Sequence, residues 1–118
     1  MVRRVIAGTV MVFFLFVSYA SAADVAAGQR IAQQKCAGCH GAGGAGNGVM
    51  LQSLNVATPP VAWTDKTAMA AYTDADLTKI ISGGGAAVGK APLMPAFNGQ
   101  LSDAKIADVV AYIRSLAQ

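Results

Sequence analysis

Two cysteines three residues apart, with a histidine directly after the second, constrain this chain more than any other feature: Cys36-Ala37-Gly38-Cys39-His40. This spacing is the attachment pattern of a c-type haem, in which each thiol adds to one vinyl group and the histidine turns onto the iron. Bonds through Cys36 and Cys39 would hold the porphyrin beside the backbone, so His40 would ligate from an already positioned group and lose little further entropy. A thioredoxin-like dithiol requires a strand-rich setting, and the flanks here read as helix and glycine loop. Zinc is a poorer fit, because it takes four protein ligands or three plus water, and the whole chain holds two cysteines and one histidine.

The 118 residues support one domain, and the opening stretch stands apart from it. Arg3 and Arg4 precede the uncharged run Val5 to Val17, and Ala20-Ser21-Ala22 supplies small residues of the kind signal peptidase reads. This layout predicts a cleaved secretory signal over 1–22 and a mature domain over 23–118, located in the periplasm. The run is shorter than the ~20 apolar residues of a spanning helix, so no stable membrane insertion is expected once the signal is removed.

Two of the nine basic residues leave with the signal, whereas all six acids are aspartates downstream, so the formal charge falls from +3 to about +1. The basicity of the full chain is therefore mostly targeting and gives no support to nucleic-acid binding. Both cysteines lie inside the motif, which leaves none for a structural disulfide. A domain of this size has a small core, and a buried haem would add apolar contact.

Periodicity predicts an all-α fold. A helix is expected over Val25 to Lys35 behind the N-cap Asp24, with Ala27 and Ile31 on its buried face. Gly41 to Gly48 reads as a loop lying close around the edge of a flat cofactor; no Gly-Lys-Ser/Thr ending supports a nucleotide site. Val49 to Leu54 suggests a helical turn, and Thr64 or Asp65 a cap for a short helix through Met69 towards Tyr72. Thr73 with Asp76 forms an acidic capping box for a helix through Leu77, Ile80 and Ile81, stopped at Gly83-Gly84-Gly85. Ala86 to Gln100 reads as a long loop. The final helix has Leu101 stapled to Ile106 around the N-cap Ser102, then Val109, Val110, Ile113 and Leu116 at helical spacing.

The opposite face of the iron has few candidate ligands, since no second histidine exists. Met50 and Met69 fall in expected helices at core-like positions. Met94 lies between Pro92 and Pro95, where restricted backbone freedom can aim a thioether, and is the favoured candidate, with core packing as its alternative. Trp63 and Tyr72 can donate to haem propionates, or serve as ordinary half-buried aromatics.

At these residues the chain resembles a small monohaem class I cytochrome c of bacteria. The resemblance rests on Cys36-Ala37-Gly38-Cys39-His40, the glycine loop, Met94-Pro95-Ala96-Phe97 and the terminal amphipathic helix, and it spans the mature chain. It implies three to five short helices around one covalent haem c, with iron held by His40 and Met94. It also implies that Gly28 is the small position where the first helix crosses the last, facing Val109 and Tyr112. Many relatives have proline where this chain has Val49, and that proline's carbonyl accepts from the ligand histidine; Val49 retains a carbonyl for the same bond.

The expected function is single-electron transfer between redox protein partners, not enzymatic catalysis, by a monomer that docks transiently. Lys35 and Lys90, with Lys79, are placed to steer an acidic partner. The alternatives are an open-site haem protein that binds gas or reduces peroxide, and a dedicated haem subunit of a larger oxidoreductase.

Overall fold

The computed structural model describes residues 11–17 and 21–118. Arg3, Arg4, Val5 to Val10 and Ala20, which carry part of the signal reading, lie outside the described residues. Residues 11–17 have no regular secondary structure and their side chains are exposed. Among the described residues no helix is long and apolar enough to cross a membrane.

Six α-helices make up the domain: α1 (Val25–Lys35), α2 (Ala37–His40), α3 (Met50–Ser53), α4 (Lys66–Met69), α5 (Asp74–Gly83) and α6 (Asp103–Leu116). Three of them are single turns, and a 3-10 turn, Gly85–Val88, follows α5 inside the stretch expected to be loop. No strand occurs among the described residues. The all-α expectation holds, with α1, α5 and α6 as the long members.

The frame is a crossing of α1 and α6. Asp24 caps α1 by accepting from the Ala27 amide at 3.0 Å, and its own amide donates to Asp108 Oδ1 of α6 at 2.7 Å. At the crossing, a Cβ on Gly28 would overlap the carbonyl oxygen of Asp108 and press on the Val109 amide nitrogen. The deepest burial on α1 accordingly belongs to Gly28 and Ala32, not to Ala27 and Ile31 as the apolar spacing suggested. Small side chains let the backbones approach, and the larger Ile31 is left at the margin of the core. Facing them, α6 buries Ile106, Val109, Val110, Tyr112 and Ile113.

Capping sets the starts of the helices. Ser102 accepts from the Lys105 amide, and the residues of the expected staple, Leu101 and Ile106, are both buried. Asp65, rather than Thr64, caps α4. At α5 the capping box is complete: the Thr73 amide donates to Asp76 Oδ2 at 2.8 Å, and the Asp76 amide donates to Thr73 Oγ1 at 3.1 Å. The Thr73 amide is the main cause that holds the Asp76 carboxyl below its usual range, followed by the Thr73 hydroxyl. A lowered folded pKa contributes stability that is present above the ordinary carboxylate value of about 3.8 and is lost as pH falls through the folded value. Loss of the N-cap in Thr73→Ala should cost about 1 kcal/mol in denaturant unfolding at neutral pH. Asp76→Asn should lose less stability than wild type on acidification below about pH 4.

Candidate haem site

The motif forms one helical turn. Cys36 caps α2, and the amides of Cys39 and His40 both donate to the Cys36 carbonyl, at 3.2 and 2.9 Å. Residues three and four apart share a helix face, so this turn brings Cys36, Cys39 and His40 to one side of α2. The sequence reading treated the motif as an attachment segment and did not foresee the turn. Its spacing could have revealed it, because two thiols and an imidazole that serve one flat group must share a face.

Burial then sets their chemistry. It pushes the Cys36 thiol up to about 11, with Lys35 opposing and Cys39 adding to the rise. A redox dithiol depends on a lowered thiol pKa, so Cys36 is poorly suited to disulfide exchange at neutral pH. Burial also lowers the pKa of His40, which favours the neutral imidazole that ligates a metal. Among the described residues, His40 Nδ1 is buried with no hydrogen-bond partner. The carbonyl bond considered for Val49 is thus not made, and the Val49 side chain is 85% exposed. Two thiols and an imidazole on the same face, with Cys36 packed against the apolar core, fit a covalently attached haem.

The glycine loop closes on the motif. The Gly46 amide donates to the His40 carbonyl at 2.8 Å, and the Gly48 amide to the Cys39 carbonyl at 3.1 Å. Gly44 takes φ of +73°, and a Cβ there would sit 2.6 Å from Trp63 Cε3. Close approach of the chain to itself therefore accounts for this glycine.

Trp63 is buried and stacks on His40, with ring centroids 4.5 Å apart and planes at 21°. Tyr72 is half-buried against the core, and the Lys90 ammonium lies 5.5 Å from its ring centroid. Lys90 thus lies over the Tyr72 ring, and Lys35 ends α1.

Met94 is carried by a segment hung on the C-terminal end of α5. The Gly85 amide donates to the Met94 carbonyl at 3.1 Å, and the Phe97 and Asn98 amides donate to the Ile81 and Ser82 carbonyls at 3.0 and 3.1 Å. The Met94 side chain packs at the edge of the core. Met69 is fully core, as expected, whereas Met50 is 48% exposed and its sulfur rests beside Gly38. A single-turn α3 has too few contacts to bury every apolar residue it carries.

One contributor had no signal in the sequence. Arg114 of α6 donates through Nε to Asp74 at 2.7 Å, through Nη1 to the Met69 carbonyl at 3.1 Å and through Nη2 to the Tyr72 carbonyl. It fastens the α4–α5 connection, and with it Tyr72, to the last helix. In sequence it reads only as a cation suited to a helix C-terminus.

Comparison with known proteins decides the family. The cytochrome c family model matches residues 25–117. The chain is 36% identical over 112 residues to cytochrome c6 of Picosynechococcus sp., covering 89% of this chain and 84% of that protein. The chain belongs to the cytochrome c family. Among solved structures, cytochrome c6 of the diatom Phaeodactylum tricornutum is similar at TM-score 0.56 and 35% identity, over 80% of this chain and 94% of that one. KustC0563, a c-type cytochrome, shares the fold at TM-score 0.61 and 21% identity, covering 77% and 98%. Subunit FixP of the cbb3-type cytochrome c oxidase of Bradyrhizobium diazoefficiens is 36% identical over 93 residues, which are 79% of this chain but 28% of that subunit. This cytochrome c carries a covalently attached haem c and transfers electrons; it is not an enzyme.

Proposed function

We propose that this cytochrome is a periplasmic carrier that binds haem through Cys36 and Cys39 and ligates the iron with His40 and Met94. The observation that carries the reading is the single turn of α2, which gathers both thiols and a neutral imidazole on one face. When bound, the haem supplies an iron that passes between ferric and ferrous states. The protein's own part is to keep the ligands fixed: α2 holds His40, and the anchored loop after α5 holds Met94. Fixed ligands limit reorganisation, and a histidine and methionine pair raises the potential. Trp63 and Tyr72 are the candidates for contact with the haem edge.

The signal over 1–22 accounts for export. A mature charge of about +1 suits a monomer that meets its redox partners in brief encounters, steered by Lys35, Lys79 and Lys90. The FixP similarity favours a second reading, in which the domain serves as the haem unit of a larger oxidoreductase. Native mass spectrometry of protein purified from its source tests both. The carrier reading expects one chain beginning near Ala23 with one covalent haem. A mass without haem, or one that retains residues 1–22, would count against it, and a stable larger complex would favour the second reading.

A further inference from the structure

A metal-bound imidazole can turn about its bond to the metal unless something fixes its plane. The usual device is a hydrogen bond from the other ring nitrogen to a carbonyl or carboxylate, which also makes the ligand more basic. His40 has no such bond: its Nδ1 is buried and unpartnered among the described residues. What lies against the ring is the face of Trp63, centroid to centroid at 4.5 Å and nearly parallel.

Trp63 is itself held firmly. Its side chain is 7% exposed, its amide donates to the Gly44 carbonyl at 2.7 Å, and its ring fills the space left by the missing side chain of Gly44. The loop that carries Gly44 starts at His40 and returns to it through the bond from the Gly46 amide to the His40 carbonyl. The indole and the imidazole are thus two walls of one small closed loop. Rotation of the imidazole would drive its edge into an indole that has nowhere to go.

We propose that Trp63 is a positioning residue for the axial ligand, setting the plane of the His40 imidazole by stacking in place of a hydrogen bond. The inference rests on the reading of His40 as an iron ligand. It has an electronic consequence. With no acceptor drawing on the Nδ1 proton, the imidazole keeps its neutral character, donates less charge to the iron and favours the reduced state.

The test uses the haem-loaded protein. The orientation of an axial imidazole governs how unpaired spin spreads over a ferric haem, so the pattern of haem-methyl shifts in the proton NMR spectrum reports the ring plane. Trp63→Phe keeps a stacking face and should preserve the order of the four methyl shifts. Trp63→Leu keeps apolar bulk without a matching flat face and should change that order, with a shift in potential. An unchanged order and potential in Trp63→Leu, with only a lower melting temperature, would reduce Trp63 to a core residue and overturn the proposal.

Should Trp63→Leu fail to fold, wild type still decides the matter. The chain has one histidine, so nitrogen-15 histidine labelling gives one imidazole signal. In the ferrous protein its Nδ1 proton should resonate as a free N–H. A strongly downfield proton coupled to a carbonyl would show the hydrogen bond and sink the idea. Failure of the underlying reading looks different: the labelled imidazole would then show no paramagnetic shift in the ferric protein, whatever stands at position 63.

Discussion

Met94→Ala should turn a carbon monoxide-refractory ferrous protein into one that binds the gas readily at neutral pH. On the proposed ligation the thioether would fill the sixth position, and carbon monoxide would have to displace a ligand whose loop is tied to the end of α5 through Gly85, Phe97 and Asn98. Alanine cannot reach the iron. The variant should also lose any sulfur-to-iron charge-transfer band, and its potential should fall by a sizeable part of the ~0.8 V range that axial ligation spans. Haem should stay attached, because Cys36 and Cys39 are untouched. Met50→Leu and Met69→Leu serve as controls and should leave all three properties nearly unchanged, the first at a half-exposed site and the second as a volume-conserving swap in the core. Ready carbon monoxide binding by wild type, unaltered in Met94→Ala, would hand the assignment to an open-site haem protein.

Gly28→Ala should be the most damaging single-methyl change in the frame. The added carbon would overlap the Asp108 carbonyl, which is backbone and can yield only if α1 and α6 move apart. Overpacking of this kind costs about 1–3 kcal/mol, and a domain near this size loses about 4–8 °C of melting temperature per kcal/mol. The same substitution at Gly43, where an added Cβ would meet nothing nearby, should have little effect. Thermal unfolding of the haem-loaded variants followed by circular dichroism compares the two. Equal melting temperatures would mean that the crossing tolerates a wider spacing than the structure has.

Much of the fold was legible because its signals are local. Asp24, Thr73 with Asp76, and Ser102 with the pair Leu101 and Ile106 each mark a helix start through chemistry confined to a few residues, and each cap forms. The resemblance placed Gly28 at the crossing for the same reason, since no other residue type allows that approach. The features that escaped depend on distant partners. Whether Met50 is covered depends on what packs over α3, and the reach of Arg114 to Tyr72 spans 42 positions. Trp63 stood out in the sequence as a candidate aromatic, but its stack on His40 is set by the path of the loop between them. The buried, unpartnered Nδ1 could not be read from Val49, because a carbonyl is present there in any case and only its direction decides whether it accepts.

The α1–α6 crossing also governs when the molecule can acquire its shape. These two helices meet across a sequence gap of 84 residues, as in the bond from the Asp24 amide to Asp108, and α6 supplies much of the core. Contacts that span so much chain carry a large closure cost and form late, and α1 alone is too short to persist as a helix in water. A growing chain therefore cannot close this crossing until residues 103–116 are available. During that interval the thiols of Cys36 and Cys39 are accessible, whereas in the closed domain Cys36 packs against the core. Packing of Cys36 against the core thus follows closure of the crossing, and its thiol is more accessible before α6 docks than after.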